Sequence, residues 1–170
     1  MDSPRQSINV REAGEADVPA IGELFQRMWD EAGPDAPGFA GATEEVVAEI
    51  AQPDAIRLRI GGPDRRMFVA YQGHSAVGFA ATRTIDSDLV ELAGIVVLQS
   101  MLGRGIGTPL VNAAVTACRE RGFKRMTVST ETDNARAIGF YEARGFKRVG
   151  QSTVTVEGAE IRVHNLEMRL

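Results

Sequence analysis

Five residues, "GRGIG" at Gly103–Gly107, run directly into the amphipathic stretch "TPLVNAAVTACRERG". Glycine there lets the backbone adopt unusual angles and lets a ligand approach without meeting a Cβ. The first N–H groups of a following helix have no internal partner and carry partial positive charge, so such a turn suits an anion, above all a phosphate. Spacing excludes two common phosphate loops. A P-loop needs a lysine after its last glycine, and here Thr108 and Pro109 follow. A dinucleotide fingerprint needs glycine at its sixth position, which is Thr108 counted from Gly103 and Leu110 counted from Gly105. What remains is a short loop of main-chain amides feeding a helix start, or a tight strand-to-helix turn that binds nothing. The stretch "NARAIGFYEAR" shifts that balance. Asn134, Ala137 and Tyr141 recur at i, i+3 and i+7 on one helical stripe. At about 1.5 Å per residue the amide and the phenol lie roughly 10 Å apart along the axis, so they could flank an extended ligand arm. Singly, Asn134 also reads as a helix cap and Tyr141 as a core residue.

The elements that position these residues follow from periodicity and punctuation. "INVREA" reads as a first strand, and "DVPAIGELFQRMW" as a helix with Asp17 as candidate N-cap. "DEAGPDAPGFAGAT" is rich in Gly, Pro and Ala and reads as a mobile loop, after which "TEEVVAEIAQ" resumes a helical period. "MFVAYQ" and "AVGFAATRTI" are strand-like runs joined by the hairpin "GHS". "LVELAGIVV" is a further strand in which Gly94 suggests a bulge or a close backbone approach. The helix after the glycine turn carries Leu110, Val111, Ala114, Val115, Ala117 and Cys118 on one face. That placement makes Cys118 a core filler rather than a nucleophile. "RMTVSTE" is the next strand, "NARAIGFYEAR" a helix stopped by Gly145, and "FKRVGQSTVTV" with "AEIRVHNLEMRL" a closing pair of strands around "EG". Alternating strands and helices with a hairpin at each end predict an α/β (α+β) fold, a mixed sheet with helices on its faces. Residues 1–7 are expected to be a disordered N-terminus and 8–170 a single domain of ordinary size for 170 residues.

Composition narrows the function classes. The 19 basic and 23 acidic side chains give a net charge of −4, against the basic face that nucleic-acid binding needs. A lone cysteine forms no internal disulfide, and no apolar run is long enough for a bilayer, which together point to the cytoplasm and to no membrane partner. Two scattered histidines and one cysteine give no zinc spacing, so no metal is expected.

The ordered set "IVV", "GRGIG" and "NARAIGFYEARGF" resembles the Gcn5-related N-acetyltransferase (GNAT) superfamily, and the resemblance extends from "INVREAGEADVPAI" to the terminal "LEMRL". The family's glycine motif reads [QR]-x-x-G-x-[GA]; Gly105 and Gly107 match it, while Leu102 stands where Gln or Arg is usual and Arg104 is a nearby charge. The second motif is similar to N-x-x-A-x-x-x-Y-x-x-x-G-F, matched at Asn134, Ala137, Tyr141, Gly145 and Phe146. The resemblance implies a mostly antiparallel sheet of six to seven strands whose splayed strands four and five form a cleft for acetyl-CoA. It also implies direct acetyl transfer to an amine of a small molecule or peptide. Carried over by position, Ile95, Val96 and Val97 line the pantetheine arm. Gly103, Arg104, Gly105, Ile106, Gly107 and Thr108 hold the pyrophosphate, Asn134 contacts the cofactor, and Tyr141 sits beside the sulfur. A non-catalytic acyl-CoA-binding domain of the same fold is the alternative.

The chemistry needs a base, because a primary amine is mostly protonated at neutral pH, and it gains from an acid for the departing thiolate. Tyr141 is the candidate acid. Glu91 is the first candidate base, since it shares strand parity with Ile95 and Val97. Glu131 or a water chain are substitutes, Ser129 occupying the position five before Asn134 where some relatives carry glutamate. Main-chain N–H groups near Gly94 are candidates to polarise the thioester carbonyl. From Met28 to Ile56 there are seven acidic residues, Asp30, Glu31, Asp35, Glu44, Glu45, Glu49 and Asp54, and no Lys or Arg. In the family this region borders the acceptor pocket, so it is expected to attract a cationic amine, with Trp29 and Phe39 as lining candidates; a solvated acidic surface is the plain alternative. A homodimer through the terminal strand is a further expectation.

Overall fold

The computed structural model describes residues 7–36, 42–156 and 158–170. Phe39 and residues 1–6 of the expected disordered segment 1–7 lie outside the described residues. The chain forms β1 (Ile8–Glu12), α1 (Val18–Ala32), α2 (Glu44–Ile50), α3 (Pro53–Ile60), β2 (Arg65–Gln72), β3 (Ser75–Thr84), β4 (Leu89–Val97), α4 (Gly107–Glu120), β5 (Arg125–Glu131), α5 (Ala135–Glu142), β6 (Lys147–Val156) and β7 (Ala159–Arg169). The strands form one seven-stranded sheet in the order β1-β2-β3-β4-β5-β7-β6. β4 and β5 run parallel, whereas β1–β2, β5–β7 and β6–β7 are antiparallel, so the fold is mixed α/β as the alternation of elements predicts. Among the described residues no helix is long and apolar enough to cross a membrane.

The chain divides into two compact units, one made of the segment ending at Thr82 with Gly94–Ala114, the other of Arg83–Ala93 with Val115–Leu170. In the first unit α1 buries Ile21, Leu24, Phe25 and Met28, spaced at three to four residues as a core-facing stripe requires. β2 is buried continuously from Met67 to Tyr71. The hairpin between β2 and β3 turns at Gly73 (φ 60°), where glycine is needed. α3 has no counterpart in the sequence reading. It is a two-turn helix whose Pro53 reads as punctuation but stands in its first turn, where a missing N–H is harmless. In the second unit Met126 and Val128 of β5 and Leu166 of β7 are buried, with Ile138 and Tyr141 of α5. Gly145 (φ 98°) ends α5 in the left-handed conformation expected of it.

Asp17 corrects one expectation. It stands at the N-cap position of α1, yet its side chain does not cap that helix. Its Oδ1 accepts from the Tyr71 hydroxyl (2.6 Å) and from Arg11 Nη2 (2.6 Å), and its Oδ2 accepts from the Gly14 N–H (2.8 Å). The residue is 4% exposed. Burial alone would push its carboxyl up, but the hydrogen bonds from Tyr71, Gly14 and Arg11 outweigh it and hold the group below the ordinary carboxylate range. The Tyr71 phenol is pushed up to about 12, by burial and by its bond to Asp17. This cluster ties β1, the start of α1 and β2 together. Asp17→Ala strands a buried phenol and an amide, and should cost about 2–3 kcal/mol in urea unfolding at pH 7. Because the folded carboxyl titrates below its unfolded value near pH 4, the contribution is present above that value and is lost as pH falls through the folded pKa. The gap between wild type and Asp17→Ala should therefore narrow below about pH 4; a gap that stays constant would contradict this account.

Candidate functional site

In the first unit the end of β4 leads through a short 3-10 turn, Gln99–Met101, into the glycine turn and α4. Ile95 and Val97 are half-buried and Val96 is buried, so the alternation expected for β4 holds to its end. β4 extends through Gly94, where a Cβ would meet nothing within 4 Å, so the close backbone approach suggested for Gly94 is not found there. Two contacts fix this segment against β3. The Leu98 N–H donates to the Val77 carbonyl (2.9 Å), and Gly78 approaches so closely that a Cβ there would lie 2.8 Å from the Val96 carbonyl oxygen. Gly78 is a site-shaping residue that the sequence reading passed over. The signal was present, since a glycine inside the strand-like run "AVGFAATRTI" marks a bulge or close backbone approach.

Gly103 (φ 77°) and Gly105 (φ 75°) take left-handed angles, and a Cβ on either would meet nothing within 4 Å. Space above the turn is thus open, and the glycines answer to backbone conformation rather than to crowding. Among the described residues no acceptor takes the N–H groups of Gly103, Arg104, Gly105 or Ile106. Leu102 to Gly105 are exposed, while Ile106 is buried and its carbonyl accepts from the Leu110 N–H at the first turn of α4. Donors of this kind at the start of a 14-residue helix suit a phosphate group, and the residues present fit one. Leu102, at the usual Gln or Arg position, is 48% exposed.

In the second unit the parallel ladder of β4 with β5 covers three pairs, Leu89–Arg125, Val90–Met126 and Glu91–Thr127. Glu91 is half-buried, and its Oε2 accepts from Arg83 Nε (2.9 Å) and Nη2 (2.7 Å). Asn134 caps α5, its Oδ1 accepting the Ala137 N–H at 3.0 Å. That leaves its Nδ2 as the group available to a ligand. Glu131 is exposed, and Ser129 donates its hydroxyl hydrogen to Asn165 Oδ1 (3.0 Å).

Tyr141 is 8% exposed. Its ring is held edge-on between Phe140 (centroids 5.3 Å apart) and Phe146 (5.5 Å). Burial raises its pKa, and no hydrogen bond contributes to the shift. The phenol is therefore protonated at neutral pH, with a hydroxyl to which no described residue lays claim.

The acidic stretch is less available than its composition suggests. Asp30 accepts from Gln26 (3.0 Å), Asp54 pairs with Arg57 (2.8 Å), and Glu31 accepts two bonds from Ser100. Asp35, Glu44, Glu45 and Glu49 remain exposed. Trp29 is half-buried. No group of three His, Cys, Asp or Glu among the described residues could hold a metal ion.

Comparison with known proteins puts these features in context. Residues 20–146 match the Acetyltransferase (GNAT) family. Over 94 residues the chain is 30% identical to a mycothiol acetyltransferase of Corynebacterium glutamicum, a match covering 55% of this chain and 32% of that protein. The matches to the first curated relatives span 32% to 38% of those proteins' lengths. Among solved structures, the PaiA N-acetyltransferase of Thermoplasma acidophilum in complex with coenzyme A shares the fold at TM-score 0.65 and 18% identity, covering 96% of this chain and 99% of that one. A GNAT family acetyltransferase of Elizabethkingia anophelis with acetyl-CoA bound superposes at TM-score 0.64 and 16% identity, covering 96% and 98%.

Gly78→Ala provides a test of how the end of β4 is set. The added methyl meets main chain, which cannot swing aside, so β3 and β4 must part near Val96. The variant should lose about 1–3 kcal/mol of stability in urea unfolding, and amide shifts should move at Val96 and Val97. Unchanged stability and unchanged shifts would rule out the close approach.

Proposed function

Since the chain belongs to the Acetyltransferase (GNAT) family, we propose that it transfers the acetyl group of acetyl-CoA directly to an amine of a small molecule or peptide. Tyr141 carries the catalytic part of this reading. A buried phenol with an unclaimed hydroxyl is poised to hold a proton until a reaction partner takes it. The amides of Gly103–Ile106, with Gly107 and Thr108 at the start of α4, would hold the pyrophosphate of the cofactor. The main chain of Ile95, Val96 and Val97 would line its pantetheine arm, and Asn134 Nδ2 would reach it as a donor. Bound there, acetyl-CoA supplies the acetyl group as an activated thioester.

The chain's own residues then have two proton tasks. An amine acceptor arrives largely as ammonium, with an ordinary pKa of about 10, and must lose a proton. Glu91 is proposed as the receiving group. Arg83 occupies its Oε2, so the role falls to Oε1, directly or through water. Tyr141 gives the proton on its Oη to the departing sulfur. A thiol of ordinary pKa near 8.5 leaves fairly well unaided, so this acid is worth less than a typical general acid.

Two observations bear on the acceptor and on the rival reading. The carboxylates of Asp35, Glu44, Glu45 and Glu49 remain exposed, which supports a cationic amine. The engagement of Glu91 by Arg83 favours the alternative of an acyl-CoA-binding domain without turnover. Thiol release from acetyl-CoA over a panel of cationic and neutral amines separates the two. Turnover on an amine is expected, greatest with the cations, and Tyr141→Phe should lower kcat about tenfold while leaving acetyl-CoA affinity within about twofold. Tight binding of acetyl-CoA without turnover on any amine would support the binding domain, and an unchanged kcat in Tyr141→Phe would remove the acid role.

A further inference from the structure

Next to the glycine turn lies a side-chain contact for which the proposed chemistry has no use. Glu31, in the last turn of α1, grips Ser100 at two points. The Ser100 N–H donates to Oε2 (3.2 Å) and its hydroxyl to Oε1 (2.6 Å), across 69 residues of sequence. Ser100 is the middle residue of the 3-10 turn Gln99–Met101, three residues before Gly103. An N–H at the start of such a turn has no partner inside it, and the Glu31 carboxylate supplies one from outside.

The position of the contact gives it consequence. The trailing end of the glycine turn is anchored by Ile106, which is buried and bonded into α4. The leading end is anchored by Leu98 and Met101, both buried, and by the bonds Met101 N–H to Leu98 (2.9 Å) and Leu102 N–H to Gln99 (3.3 Å). Between these anchors Leu102–Gly105 is exposed and contains two left-handed glycines, the residue type with most backbone freedom to lose. Direction in the exposed part is therefore inherited from the anchors. Glu31 supplies the side-chain tie from α1 to the leading one.

We infer, on the acetyl-CoA reading proposed above, that Glu31 is a positioning residue for the cofactor turn, holding the Gln99–Met101 segment so that the amides of Gly103–Ile106 converge before the ligand arrives. Glu31 touches no reacting atom in this role. Both partners are exposed, so the contact adds little to global stability, and its effect is local ordering. The sign of that effect separates it from simple charge. A carboxylate near an anionic ligand repels it, so removing the charge alone would tighten binding. Loss of positioning weakens it.

The experiment is calorimetric titration of acetyl-CoA into wild type, Glu31→Ala, Glu31→Gln, Ser100→Ala and the Glu31→Ala/Ser100→Ala double variant, with acetyl-CoA KM, kcat and Tm measured in parallel. Glu31→Ala should weaken acetyl-CoA roughly three- to tenfold and raise its KM to match, with kcat at saturation and Tm unchanged. Glu31→Gln keeps an amide oxygen that accepts the Ser100 N–H and should recover most of the loss. Ser100→Ala should cost affinity in wild type and nothing further once Glu31 is gone. Equal or tighter binding by Glu31→Ala, or additive losses in the double variant, would overturn the inference. Should wild type itself fail to bind acetyl-CoA, the proposed ligand is wrong. Amide exchange of residues 101–106 in the ligand-free proteins then decides the positioning role, faster exchange in Glu31→Ala supporting it and equal exchange refuting it.

Discussion

Between β4 and α4 the chain must pass from a strand into a helix through two residues, Gly103 and Gly105, at φ of 77° and 75°. L side chains rarely adopt such angles, so the passage is open to glycine and expensive for most other residues. The conformation leaves consecutive amides of Gly103–Ile106 without acceptors among the described residues, with open space over Gly103 and Gly105 at the head of a long helix. Much else in the first unit supports this turn. Gly78 lets β3 approach the Val96 carbonyl, which sets the end of β4. Leu98, Met101 and Ile106 are buried on either side, and Glu31 ties the leading edge to α1. The helix supplies the charge bias and the glycines supply access, so a phosphate group would find both in one place.

The second unit carries the two groups proposed to move protons. Tyr141 is set by rings rather than by hydrogen bonds, with Phe140 and Phe146 fixing its plane and leaving its hydroxyl uncommitted. Glu91 is the opposite case, a carboxylate with one oxygen already shared by two donors of Arg83. The contrast explains why the acid is easier to assign than the base. The oxygen of Asn134 caps α5, which leaves its nitrogen for the proposed cofactor contact.

Most of the fold was legible in the sequence because its elements are locally self-consistent. β4 and β5 match "LVELAGIVV" and "RMTVSTE" from end to end, and Gly145 ends α5 as a left-handed residue should. α3 escaped because two turns, opened by a proline and carrying Asp54, Arg57 and Arg59, give little periodic signal. Asp17 has the type and position of an N-cap, but its partners Tyr71 and Arg11 come from β2 and β1, which no local pattern announces. The same limit governs the candidate site. Spacing reveals the glycine turn and the stripe from Asn134 to Tyr141, since those are local patterns. It does not reveal the Arg83–Glu91 pair or the Glu31–Ser100 contact, which depend on residues brought together by tertiary folding. Nor does it reveal that three carboxylates of the acidic stretch are already spent on neighbours.

The central claim is that main-chain amides at the end of β4 and in the glycine turn receive acetyl-CoA. Hydrogen exchange with and without saturating acetyl-CoA, resolved to single amides, tests it most directly. The account predicts slowed exchange at Ile95–Val97 and at Gly103–Thr108 when acetyl-CoA is present. Saturation by acetyl-CoA with no change at those amides would contradict it.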